Sequence, residues 1–124
     1  MREILFRGKR VYNGEWVCDN SVLFFTKTTI IYGALNKWRE IEVILETVGQ
    51  YTGLNDKNGK KIFEGDIMPV WEQGEEYYYK VIYNGDCFML GQLDSTQGSY
   101  PLSVKCNICE VIGNVYDNPE LLER

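Results

Sequence analysis

The stretch from Gln50 to Met68, QYTGLNDKNGKKIFEGDIM, restricts the fold of this chain more than any other part of it. Its centre is a dense turn signal, because Asn and Asp side chains hydrogen-bond nearby backbone and Gly accepts a positive φ. Apolar residues flank that turn, and Glu64-Gly65-Asp66 interrupts the chain again before Ile67. We therefore interpret the stretch as short extended segments joined by tight turns, around which the rest of the chain is organised.

The composition predicts one soluble, β-rich domain over residues 1–124. A chain of 124 residues is long enough for a single core. Hydrophobic residues make up 44% and charged residues 25%, which is ordinary for a globular protein. The 12 glycines and the aromatic content of 14% favour strands separated by many turns.

The net charge and the N-terminal sequence bear on nucleic-acid binding and on the cellular compartment. A net charge of -5 opposes non-specific phosphate binding, so we expect no nucleic-acid partner. Four basic residues near the N-terminus are interpreted as charged ends of an exposed strand: Arg2, Arg7, Lys9 and Arg10. No apolar run reaches the length of a membrane span, and the charged start lacks a signal-peptide core. We therefore expect a cytoplasmic protein whose four cysteines are thiols.

Strand and turn patterns predict most elements of the N-terminal half. Glu3 to Gly8 is predicted as a strand, followed by a hairpin with a two-residue turn at Asn13-Gly14. That turn places Val11 opposite Trp16 and Tyr12 opposite Glu15. Further predictions are one or two strands over 22–32 with a break near 26–28, and a loop over 33–38. Residues 39–48 fit both the helical and the strand periodicity. Two predictions therefore stay open for this segment: a strand, or a short helical turn near Ile44 followed by a strand over 47–52.

The C-terminal half is predicted in the same way. Ile67 to Trp71 forms a strand that lies on an edge or at a bulge, because Pro69 has no backbone donor. A second Asn-Gly hairpin follows at Asn84-Gly85, then a polar loop over 91–101 and one or two strands over 104–116. Pro119 begins a short final helix capped by Asp117 or Asn118. The fold class is therefore mainly β, a small antiparallel β-barrel-like domain with a short C-terminal helix.

Three segments resemble the YopX family of phage and prophage proteins. They are RGKR-x-x-NGEWV over Arg7 to Val17, VGQYTGLNDKNGKKIFEGDI over Val48 to Ile67, and VIGNVYDNPELL over Val111 to Leu122. The segments lie in family order, and the resemblance covers nearly the whole chain. It implies a β-barrel-like domain encoded by temperate phages and resident in the bacterial cytoplasm. It implies no assigned activity and no catalytic residues.

Cys106-Asn107-Ile108-Cys109 is the sharpest candidate for chemistry. A CxxC turn can supply two thiolates to zinc, but zinc needs two more ligands and the chain has no His. A redox role needs a helix N-terminus, whereas this segment has a β pattern in which residues three apart point to opposite faces. We favour a structural role over these alternatives, and expect replacement of both cysteines by Ser to leave melting nearly unchanged.

Other candidate motifs also favour structural roles. The Asp56-Lys57-Asn58-Gly59 turn would place Leu54 and Gly65 at calcium-ligand positions, and neither side chain can chelate. Glu64 and Asp66 share a face, but no His or nucleophile accompanies them, so a strand connector is favoured over acid–base chemistry. We therefore predict no catalytic, cofactor-binding or metal-binding residues and no enzymatic activity.

The second hairpin provides the candidate interface. With a two-residue turn, Ile82 lies opposite Cys87 and Val81 opposite Phe88. One face then carries Tyr77, Tyr79, Val81, Tyr83, Phe88 and Leu90, and the other carries Tyr78, Ile82, Cys87 and Met89 with Lys80 as its one charge. Since both faces are apolar, we predict that one lies in the core and that Tyr78, Ile82, Cys87 and Met89 meet a subunit or partner.

The leading hypothesis is a phage-encoded accessory protein that acts through protein–protein contacts, as a homo-oligomer or with a host or phage protein. A nucleic-acid-binding module that uses the basic N-terminal residues is one alternative. A metal-dependent enzyme that uses carboxylates or the cysteines is the other.

Overall fold

The structure, a computed structural model, describes residues 3–92 and 99–123. Its backbone divides into two compact units, residues 1–51 and 52–124, and each has strands of its own. The single domain over 1–124 stays a prediction. Strands dominate both units, which confirms the mainly β fold. No helix in the described part of the chain is long and apolar enough to cross a membrane.

The first unit contains five short strands, the start of a sixth and two single-turn 3₁₀ helices. The strands are β1 (Phe6–Lys9), β2 (Trp16–Asp19), β3 (Ser21–Phe24), β4 (Thr29–Tyr32), β5 (Ile41–Val43) and β6 (Gly49–Asn55), and the 3₁₀ helices are Ala34–Asn36 and Leu45–Thr47. β1 pairs with β2 and with the first residues of β6, and β4 pairs with β3 and β5. The predicted break over 26–28 is confirmed. Of the two interpretations of residues 39–48, the structure has the helical turn near Ile44 followed by a strand, here β6.

Close packing around Gly8 explains why β1 has a glycine in its middle. A Cβ atom at that position would lie 3.0 Å from the Cβ of Val43 and 3.2 Å from the Cδ1 of Ile31. Ile31 and Val43 are both buried. The glycine therefore lets a neighbouring strand approach β1 closely.

The first hairpin has a different register from the predicted one. Lys9, and not Val11, lies opposite Trp16, so residues 11–14 form a four-residue loop. The Arg10 N–H donates to the Glu15 carbonyl at 2.8 Å, and the Glu15 N–H donates to the Asn13 side chain at 3.0 Å. The Asn side chain caps the loop from inside, which a two-residue turn does not require.

The second unit contains the remaining strands, one short α-helix and a C-terminal 3₁₀ helix. After the end of β6 they are β7 (Lys61–Phe63), β8 (Asp66–Glu72), β9 (Glu75–Tyr83), β10 (Phe88–Gly91), β11 (Tyr100–Pro101), α1 (Leu102–Lys105), β12 (Gly113–Asn114) and the 3₁₀ helix Pro119–Glu123. The main sheet has the order β11-β10-β9-β8-β12. Across the described residues the strands form three open antiparallel sheets and no closed barrel. The predicted C-terminal helix is confirmed, in 3₁₀ form.

The second hairpin repeats the difference seen in the first. Tyr83 lies opposite Phe88 and Ile82 opposite Met89, so the predicted pairs Tyr83–Asp86 and Ile82–Cys87 are wrong. The Asn84 side chain accepts hydrogen bonds from the N–H groups of Asp86 and Cys87, each at 3.0 Å, and holds a four-residue loop. The shift is two residues, and an even shift leaves every strand side chain on its predicted face.

The predicted strands over 104–116 are largely wrong. The segment begins in α1 and has only two strand residues, Gly113 and Asn114. Leu102, Cys106 and Cys109 are all buried in the core of the second unit, at spacings of four and three residues. That spacing is helical, and the alternation of other apolar residues in the segment concealed it. The predicted polar loop over 91–101 lies partly outside the described residues.

Candidate protein-binding surface

One face of the β8–β9–β10 sheet forms the core of the second unit. Met68, Tyr79, Val81 and Leu90 are at most 2% exposed and lie in one cluster with Leu102. These side chains alternate with those of the opposite face, which we call the outer face. The middle of this inner face is therefore buried, as the hairpin pattern predicts for one of its two faces, while Tyr77 and Tyr83 at its ends are exposed.

The outer face brings together three of the four candidate interface residues. Ile82 lies directly opposite Met89, and Tyr78 lies opposite Pro69, with all four side chains half-buried. Cys87 lies in the exposed loop, and its sulfur is 3.5 Å from the sulfur of Met89. The role of Tyr78, Ile82, Cys87 and Met89 as an interface stays a prediction.

In the part of the chain that the structure describes, the outer face extends to an edge of the sheet at β8 that is unpaired beyond Ile67. Strand β12 pairs only with Asp66 and Ile67, and the Ile112 N–H donates to the Ile67 carbonyl at 3.0 Å. Alternate residues of a strand direct their backbone N–H and carbonyl groups to the same side. The backbone groups of Pro69 and Trp71 therefore point to this edge, as those of Ile67 do. Within residues 3–92 and 99–123, Pro69 pairs only with Tyr78 of β9, so it lies at a local edge of β8, one of its two predicted placements.

A groove of about 200 Å³ runs beside this edge. One wall comes from β8 and β9, and the other comes from the β6–β7 turn and the segment after α1. The residues that line it include Lys57, Pro69, Trp71, Glu76, Ile108 and Glu110. Trp71 is 67% exposed on the first wall, and Ile108 is 62% exposed on the second.

Asp56 joins the β6–β7 turn, which we call the central turn, to the segment after α1. One carboxylate oxygen accepts hydrogen bonds from the N–H groups of Asn58 and Lys60, each at 2.9 Å. The other oxygen accepts a hydrogen bond from the Val111 N–H at 2.9 Å. Lys57 adds a backbone hydrogen bond to the Cys109 carbonyl at 3.0 Å. The turn predicted as structural therefore fixes a segment more than 50 residues away in sequence.

The environment of Asp56 favours its charged form. Burial of the carboxyl acts to raise its pKa, but the three backbone N–H groups and the nearby Lys60 ammonium outweigh it, so the pKa is lowered. The carboxylate is thus an acceptor for backbone donors. Asp56 thus holds the turn and the backbone at Val111 together.

A second carboxylate, that of Glu72, joins two tyrosines at the edge of the core by hydrogen bonds. It accepts hydrogen bonds from the hydroxyls of Tyr79 and Tyr100, the latter at 2.5 Å. These two bonds lower the pKa of Glu72. Burial and the bond to Glu72 raise the pKa of Tyr79 to about 12. Both phenols therefore stay neutral at physiological pH and act as donors.

The structure corrects the prediction for Cys106 and Cys109. They do not point to opposite faces of a strand, since both are buried in one core cluster at the end of α1. All four cysteines are free thiols. Burial raises the pKa of Cys109, which disfavours the thiolate that redox or metal chemistry requires. Within residues 3–92 and 99–123, no group of three or more potential ligands could hold a metal ion.

Glu64-Gly65-Asp66 forms the strand connector that the sequence predicts. The Phe63 N–H donates to the Asp66 carboxylate at 2.8 Å. Gly65 has a φ of 90°, in the region that favours glycine. The buried Asp66 therefore serves as an acceptor for the backbone of the connector.

The basic residues of β1 and its loop lie against aromatic rings. The guanidinium of Arg7 is 4.7 Å and the ammonium of Lys9 is 5.8 Å from the centroid of the Trp16 ring. The guanidinium of Arg10 is 5.8 Å from that of Tyr12. Such contacts stabilise side chains on a β hairpin and also resemble the mixed surface of nucleic-acid-binding proteins.

These features define a small protein of open antiparallel sheets with an apolar outer face and an edge groove. A family model described as YopX protein matches residues 5–123. The chain belongs to the YopX family, and the resemblance of its three motifs is confirmed.

A solved structure of similar fold supports this architecture. The crystal structure of protein EF1440 from Enterococcus faecalis matches with a TM-score of 0.59 and 26% sequence identity, over 98% of this chain and 99% of that one. No curated protein matches the chain. The matched structure therefore supports the fold over almost the full length of both proteins.

Proposed function

We propose that this chain is a non-enzymatic accessory protein of a temperate phage or prophage that acts through protein–protein contacts as a homo-oligomer in the bacterial cytoplasm. The observation that carries the proposal is the set of apolar side chains on the outer face of the β8–β9–β10 sheet, which Lys80 and Glu76 accompany. Trp71 is exposed at one end of this face, next to the half-buried Pro69–Tyr78 pair, and the half-buried Ile82–Met89 pair lies towards the other end. A sheet whose inner face already forms a core gains further stability when a partner covers such a surface.

The roles of the polar residues support a binding protein over an enzyme. The carboxylates of Asp56, Asp66 and Glu72 accept hydrogen bonds from backbone or tyrosine donors. Groups used in this way hold the fold and are not poised for proton transfer. A purely structural use of these carboxylates fits an interaction module.

Substitution of the outer face tests the proposal. We expect Tyr78→Asp combined with Met89→Asp to dissociate the assembly, because two charges would have to be buried in an apolar contact. Light scattering coupled to size exclusion measures the subunit count, and circular dichroism checks that the fold is retained.

A matched pair in the first unit controls for added charge. Tyr12→Asp combined with Leu45→Asp changes the same residue classes at exposed positions and should leave the assembly intact. If the unmodified protein is a monomer at high concentration, the homo-oligomer is excluded.

Nucleic-acid binding is the second candidate function, because the two units differ in charge. The first has seven Lys and Arg against six Asp and Glu, and the second has six against twelve. Arg7, Lys9 and Arg10 thus lie in the less acidic unit and beside aromatic rings. A surface of this kind could bind a single strand through stacking and phosphate contacts.

We nevertheless expect no appreciable binding to DNA or RNA at physiological salt, since a near-neutral unit lacks the positive field that attracts phosphate. Fluorescence anisotropy with labelled single-stranded and duplex oligonucleotides measures this. Micromolar binding that weakens on Arg7→Ala plus Arg10→Ala, and not on Lys27→Ala plus Lys37→Ala, would favour the second candidate.

A further inference from the structure

We infer that the groove beside β8 is a twofold interface in which a second copy of this chain docks, with Lys57 of each copy opposite Glu76 of the other. This inference rests on the proposed homo-oligomer and assigns its contact. The groove adjoins the outer face through Pro69 and Trp71, which belong to both surfaces.

The two walls of the groove differ in a way that makes the surface complementary to itself. The β8–β9 wall carries Glu76, and the wall from the central turn carries Lys57. Each wall also carries one exposed large apolar side chain, Trp71 on the first and Ile108 on the second. A twofold rotation places the first wall against the second wall of the partner, so that opposite charges and apolar groups meet.

The other charged groups at the groove are already held within the chain. Glu110 accepts a hydrogen bond from the Asn58 side chain at 2.9 Å. The ammonium of Lys105 lies 4.7 Å from the centroid of the Tyr100 ring. Lys57 and Glu76 are therefore the pair whose charges can select the partner.

Charge reversal tests the contact. Lys57→Glu alone or Glu76→Lys alone places like charges together twice in a dimer, and we expect each to weaken the dissociation constant at least about tenfold. An equimolar mixture of the two variants restores opposite charges between copies and should assemble as the unmodified protein does. Sedimentation velocity of full-length protein over about 1 to 100 μM measures the assembly.

Lys27→Glu and Glu46→Lys are the matched controls, because both positions are exposed in the first unit. Recovery in the mixture, with both controls unchanged, supports the interface. Assembly that persists in both single variants overturns the groove contact and leaves the proposed function standing. Recovery only when both substitutions are in one chain shows a contact within the chain and also overturns it. A monomeric unmodified protein overturns both.

Discussion

Replacement of Asp56 by Ala is expected to lower the free energy of unfolding by about 3 kcal/mol. The side chain is 6% exposed and accepts three backbone hydrogen bonds, from Asn58, Lys60 and Val111. Ala would leave those donors without their acceptor in a mostly buried place. Thermal unfolding followed by circular dichroism should show a melting temperature lower by about 10 °C.

Asp56→Asn separates charge from shape in this experiment. Asn keeps one acceptor oxygen for the N–H groups of Asn58 and Lys60 but presents its NH₂ group to the Val111 N–H. We therefore expect a free energy of unfolding between those of the unmodified protein and Asp56→Ala. Lys61→Ala, an exposed change on the same hairpin, is the control and should have little effect. Melting of Asp56→Ala at the unmodified temperature would contradict the structural role of the turn.

The pKa of Asp56 also gives a pH dependence. Because the folded pKa lies below its ordinary value of 3.8, the carboxylate stabilises the fold fully above that pH. This stabilisation is lost as pH falls through the folded pKa. The unmodified protein should therefore lose stability more steeply below about pH 4 than Asp56→Asn does.

Replacement of both Cys106 and Cys109 by Ser is expected to lower the free energy of unfolding by about 2 to 3 kcal/mol. The two thiols are 8% and 7% exposed within an apolar cluster, where a hydroxyl is costly without a partner. The larger part should come from Cys109, since a hydroxyl at position 106 could reach the Ser103 carbonyl, which lies 3.9 Å from the Cys106 sulfur. This reverses the small effect expected from the sequence.

Ala at both positions controls for the lost volume, because Ala and Ser differ mainly by the hydroxyl. Chemical denaturation should rank the Ser pair below the Ala pair. Cys87→Ser, at an exposed position, should leave the unfolding midpoint unchanged. A Ser pair as stable as the unmodified protein would show that these thiols are not part of the core.

The sequence was most informative where a residue restricts its own backbone. Asn and Gly marked both hairpins, Pro69 marked an open edge, and Glu64-Gly65-Asp66 marked a connector. The predicted turn of two residues was wrong in both hairpins. In each, the Asn side chain hydrogen-bonds the backbone of a four-residue loop. The interface candidates stayed on one face because strand alternation has a period of two and the register error was also two.

The sequence alone thus determined the mainly β fold and the YopX family, since alternation, turn residues and three motifs are local properties of the chain. Only the tertiary structure decided that Asp56 holds residues near Val111, that Cys106 and Cys109 are buried together, and that Lys57 and Glu76 line one groove. Those pairings depend on which segments become neighbours after folding. Contacts between residues far apart in sequence leave no periodic trace along the chain, so a single sequence cannot display them.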